Sequence, residues 1–92
     1  MTSSAKATVE IVNELGLHAR AATRLVQLAS TFQSDLSISK DGEEVDGKSI
    51  MGVLLLAATR DSVIDIRATG SDCAELIKAV TELVADGFGE DP

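Results

Sequence analysis

Ninety-two residues, 45% of them apolar and 25% charged, suffice for one modest hydrophobic core and not for two. Fifteen acidic against eight basic residues leave a net charge of -7, which argues against sequence-independent binding to nucleic acid or to an anionic membrane. Phe32 and Phe88 are the only aromatics, too few for a base-stacking platform, and the most apolar stretch, residues 53–58, is far below the ~20 residues that span a bilayer.

In chain order, Lys6 to Val12 comes first, with Ala7, Val9 and Ile11 alternating against Thr8 and Glu10. That period of two predicts a strand with one buried face. Asn13-Glu14-Leu15-Gly16 breaks it, and Gly16 is free to take the positive φ of a sharp redirection. From Ala19 the apolar positions become Ala22, Leu25, Val26 and Ala29, the spacing of an amphipathic helix that ends near Ser30 or Thr31. Phe32 is expected to close over the core. Asp35 to Ser39 returns to period two, Asp41-Gly42 is a strong hairpin signal, and a short partner strand is expected from Glu43 to Asp46.

Ser49 then stands as the N-cap of a short helix that begins at Ile50 and contains Val53 and Leu54. Arg60-Asp61 reads as a turn, and Val63 to Ala68 as a strand with Ile64, Ile66 and Ala68 inward. After Gly70, Ser71 or Asp72 caps the last helix, with Glu75 placed as a capping-box partner of Asp72. Cys73, Leu76, Ile77, Val80, Leu83 and Val84 share one apolar stripe of that helix, which makes Cys73 a core residue. A lone cysteine forms no internal disulfide, which fits a cytoplasmic setting, and Met1 to Lys6 lead into no apolar run that would make a signal peptide. Residues 88–92, like 1–5, are expected to fray.

Strand, helix, strand, strand, helix, strand, helix is the order βαββαβα. Three helices on one face of a four-stranded sheet make a two-layer α+β domain over residues 1–92. Strands that alternate cleanly leave one sheet face to water, which suits an antiparallel sheet.

The chemistry concentrates in Gly16-Leu17-His18-Ala19-Arg20, which holds the only histidine. His18 falls at or just before a helix start, where unpaired N–H groups and a partial positive charge make a ready anion site. Arg20 adds a planar, permanently charged fork suited to phosphate oxygens. An imidazole, a helix N-terminus and an arginine within five residues point to a histidine that carries a phosphoryl group. No second base, metal cluster, Walker loop or nucleotide motif accompanies them. Neither metal nor cofactor is expected, and the protein reads as an intermediate in phosphoryl transfer that relies on its partners for the remaining machinery.

Arg20, Arg24 and Lys48 form a local basic patch on an acidic protein, which suits acidic docking faces. Ile50, Met51, Leu54 and Leu55 cannot all face the core from one short helix. Ile50, Met51 and Leu54 are therefore docking candidates beside Arg24 and Lys48, with Met51 the first choice for exposure. A different class stays open: a non-catalytic regulatory module whose basic patch and helix ends hold an anionic metabolite reversibly.

Gly16-Leu17-His18-Ala19-Arg20 and Lys48-Ser49-Ile50-Met51-Gly52-Val53, in a βαββαβα chain of this length, resemble the HPr family of histidine-containing phosphocarriers. The likeness spans about residues 6 to 89. It implies an open-faced β-sandwich with sheet order 1-4-2-3. It also implies that His18 Nδ1 takes a phosphoryl group from Enzyme I, fed by phosphoenolpyruvate, and passes it to a IIA-type protein in a sugar-uptake or regulatory branch. Arg20 would correspond to the family's active-site arginine, and Ser49 to the serine that an HPr kinase/phosphorylase modifies in some members. A monomer is expected. Ala21 stands where many relatives have proline, but alanine suits the first helical turn. Asp61 stands where a turn glycine is common, which puts the local turn type in question.

Overall fold

Strand β1 (Ser4–Glu10) opens the fold in the computed structural model, which describes residues 3–90. Helix α1 (Ala19–Ala29), strands β2 (Asp35–Lys40) and β3 (Glu43–Asp46), helix α2 (Ile50–Leu55), strand β4 (Val63–Thr69) and helix α3 (Cys73–Ala85) follow, and a single 3₁₀ turn covers Gly87–Gly89. The sheet order is β1-β4-β2-β3 with every pairing antiparallel. Its register sets Ala7 beside Ile66 and Ile66 beside Ile38, so inward residues of three strands line up across the sheet. The β2–β3 hairpin turns at Asp41 and Gly42, both with positive φ (51° and 85°), the primed geometry that matches strand twist.

One face of the sheet is covered. Leu36, Ile38, Ile64, Ile66 and Ala68 meet Ala22, Leu25, Val53, Leu76, Val80 and Val84 from the helices in one continuous core. Cys73 is buried there, as its stripe predicts. The other face stays open, with Thr8 donating to Asp65 at 2.6 Å between exposed side chains. The two-layer, open-faced α+β sandwich is thus the fold.

Three expectations are corrected. β1 starts at Ser4, where Ser4 and Ala5 pair with Thr69 and Ala68, so these residues do not fray. The far end of the expected strand lies beyond Glu10, yet Ile11 is fully buried and exchanges backbone bonds with Ser62 and Asp61 (2.8 Å each). Asp72 does occupy the N-cap position of α3 but makes no capping bond with its side chain. Its carboxylate accepts instead from Gln33 N, Ser34 N and Ser34 Oγ at 2.9, 2.8 and 2.6 Å. Ser34 is buried, and its donors would otherwise go unpaired, so the tertiary bonds win over the local cap.

The third correction concerns the C-terminal segment. Phe88 takes a positive φ of 59° and turns back into the core, where it is fully buried. It is the largest of the fully buried side chains, and its burial outweighs the left-handed backbone it requires. The expectations for residues 1–2 and 91–92 lie outside the described residues.

Candidate functional site

The site begins with Gly16. Its φ is 66°, and a Cβ there would press into the carbonyl of Ala58 and sit 3.0 Å from Thr59 Cα. Only glycine lets the chain pass this close, and Leu17 N then donates to Ala58 O at 2.9 Å. Leu17 is buried, so the next residue is delivered to the rim at a fixed angle.

That residue is His18, the N-cap of α1, with extended φ/ψ of -78° and 179°. Its carbonyl accepts the first helical bond from Ala22 N at 2.9 Å, and its Nδ1 accepts from Arg20 N at 3.3 Å. A nitrogen that accepts an N–H carries no hydrogen itself, so the hydrogen of the neutral ring sits on Nε2. Nε2 donates it to Glu90 Oε2. The imidazole side chain is 29% exposed, reachable from solvent but held along both edges.

Glu90 is anchored in turn. Asn13 Nδ2 donates at 2.8 Å to both Gly16 O and Glu90 Oε1, tying the C-terminal segment to the β1–α1 loop. Arg24 Nη1 donates to Phe88 O. The hydrogen bond from His18 holds the Glu90 carboxyl below the usual range, and the Asn13 N–H and the charge of Arg24 act the same way against partial burial. Asn13 Oδ1 is buried without a partner.

His18, Arg20, Arg24, Leu15 and Glu90 line one open hollow. Arg20 and Arg24 therefore come together as expected, but Lys48 does not join them. Lys48 Nζ donates to Phe32 O at 3.0 Å, just past the other end of α1, about 16 Å of helix away. Helix carbonyls left unpaired at a C-terminus draw a cation there. Ser49 caps α2 as its position predicts, accepting from Gly52 N at 3.1 Å.

On α2, Met51 and Leu55 are each 69% exposed and Ile50 is 40% exposed, while Leu54 is half-buried against the core. Leu55 thus takes the outward place assigned to Leu54. Asp61 adopts φ 73°, the conformation a turn glycine would take. Sequence reasoning missed Glu90, Asn13 and Leu15, and for Glu90 no local signal links it to a histidine 72 residues away. Among the described residues, no helix is long and apolar enough to cross a membrane.

Comparison with known proteins identifies the family. The sequence profile of the family described as "PTS HPr component phosphorylation site" matches residues 5–86. The phosphocarrier protein HPr of Neisseria meningitidis is 46% identical over 85 residues, covering 92% of this chain and 96% of the relative. That of Xylella fastidiosa is 49% identical over 81 residues, 88% of this chain and 91% of the relative. The crystal structure of HPr-C-His from Thermoanaerobacter tengcongensis superposes with a TM-score of 0.92 at 42% identity, over 96% of this chain and 99% of that one. The chain belongs to the HPr family of phosphocarrier proteins of the phosphotransferase system.

Proposed function

We propose that this protein takes a phosphoryl group onto His18 Nδ1 from phospho-Enzyme I, which draws it from phosphoenolpyruvate, and delivers it to a IIA-type acceptor in the cytoplasm. The observation that carries this reading is the hydrogen-bond pattern of His18: Nδ1 is an acceptor, taking only the Arg20 N–H at the N-terminal end of α1, with Arg20 on the same turn.

In acceptance, the Nδ1 lone pair forms a bond to phosphorus while the donor's bond to phosphorus breaks and its electron pair leaves with the donor. In delivery the P–N bond breaks and its electron pair returns to Nδ1. The amide groups opening α1 and the Arg20 guanidinium, which has no partner among the described residues, would bind the phosphoryl oxygens. Arg24 would orient the approach at the rim, and Ile50, Met51 and Leu15 would supply apolar contact with partners. Ser49 is the residue on which a regulatory kinase would act.

The test is incubation with Enzyme I and phosphoenolpyruvate, followed by intact mass and exposure to acid. One acid-labile phosphate on the wild type and none on His18→Ala is expected. Reversible phosphate binding with no covalent adduct would turn the reading toward an anion-binding module.

A further inference from the structure

Glu90 has no part in the chemistry so far, yet more of the local structure is spent on holding it than on holding Arg20. Phe88 anchors the segment in the core, Arg24 fastens its backbone, and Asn13 fixes Glu90 Oε1 at 2.8 Å, leaving Oε2 against His18 Nε2. Nε2 and Nδ1 lie on opposite edges of the imidazole, so the carboxylate does not occupy the phosphoryl position. Among the described residues, the other charged groups around the hollow are Arg20, Arg24 and Glu14.

We infer that Glu90 is a positioning residue that holds His18 in its Nε2–H form and balances the positive charge the ring acquires while it bears the phosphoryl group, an inference that rests on the phosphocarrier reading above.

When Nδ1 gives its lone pair to phosphorus, the ring becomes an N-phosphoimidazolium that keeps its hydrogen on Nε2. The positive charge is shared over both nitrogens, and the carboxylate on Nε2 stabilises it at short range. The hydrogen need not leave in either direction. A ring that stays protonated is also the better leaving group when the P–N bond breaks toward an acceptor. Carboxylates that orient histidines from behind serve the same purpose in metal sites, where losing them costs 10–100-fold. Glu90 thus speeds both loading and unloading, at the expense of a shorter-lived phosphorylated form.

Glu90→Gln keeps the length of the side chain and removes its charge. In the 92-residue chain it should accept phosphate from Enzyme I about tenfold more slowly. Its phosphorylated form, isolated at neutral pH without acceptor, should survive hydrolysis several-fold longer than that of the wild type. A purely structural loosening would admit water and shorten that lifetime, so the two readouts separate the roles. Nitrogen-15 NMR of the neutral His18 ring in Glu90→Ala should show the Nε2–H signature weakened toward that of a free histidine. Unchanged acceptance in Glu90→Gln, a phosphorylated form no longer-lived than the wild type, or ring signals unmoved in Glu90→Ala overturns the inference. A wild-type protein that accepts no phosphate brings down the phosphocarrier reading instead, whatever the ring signals show.

Discussion

At the scale of single residues, the site divides its labour between two side chains that differ in restraint. His18 is held along both edges of its ring, while the Arg20 side chain is exposed and has no partner among the described residues. On the proposed reading, a guanidinium with no protein partner stays free to take the phosphoryl oxygens, so its contribution falls in the transition state and in the bound phosphoryl group. Arg20→Ala should therefore leave the melting temperature unchanged and slow transfer by ~10²-fold or more, as when a preorganised charge-stabilising donor is removed. Arg20→Lys should recover only part of the rate, because a point charge cannot make the two-pronged contact. Transfer kinetics of the two variants check this, and equal rates in both and in the wild type would leave Arg20 merely solvated. His18 and Arg20 were legible because they sit two residues apart beside a glycine and a helix start. Glu90 was illegible because its only tie to them is the path of the chain, which turns at Phe88 on a left-handed backbone that no local pattern announces.

At the scale of elements, patterned segments were read almost to their ends, and the errors fall where a local signal competed with a distant partner. Asp72 with Glu75 looks like a capping box, but the buried Ser34 claims the carboxylate. Ser49 has no such competitor and caps α2 as its position predicts. With six residues, α2 is too short to persist by propensity alone and depends on its cap and on packing. Ser49→Ala should cost about 0.5–2 kcal/mol while leaving transfer nearly normal. Ser49→Asp keeps a good N-cap, so its stability should match the wild type. Its extra negative charge stands next to exposed Ile50 and Met51, where an acidic partner face would be repelled. Transfer from Enzyme I to Ser49→Asp should fall, and fall further at low ionic strength. Thermal melts and transfer rates at two salt concentrations check both variants.

At the scale of the whole molecule, the sequence carried the topology because strands and helices alternate with clean apolar faces, but not the clasps that bind one end of the sandwich to the other. The clearest is the Ser34–Asp72 clasp, which joins the start of β2 to the start of α3 across 38 residues. Hydrogen bonds from Ser34 Oγ and Gln33 N, and a further one from Ser34 N, hold the Asp72 carboxyl below the usual carboxylate range against the opposing effect of desolvation. An unfolded aspartate titrates near ~3.9, so below that value the unfolded chain binds a proton that the folded chain refuses. The clasp therefore stabilises the fold fully above about pH 4–5, and its contribution is lost as pH falls through the folded value. Asp72→Asn replaces one acceptor oxygen by an amide N–H that faces donors. Its melting temperature should lie below that of the wild type at pH 7, and the gap should close as pH drops from about 4 toward 2. Because the chain passes from net negative to net positive near an isoelectric point of about 4.4, self-repulsion rises as pH drops from about 4 toward 2, and the two proteins must be compared at each pH and not each against its own neutral value. A gap that stays constant down to pH 2 would mean that the Asp72 charge contributes nothing to the clasp and that shape alone holds β2 to α3.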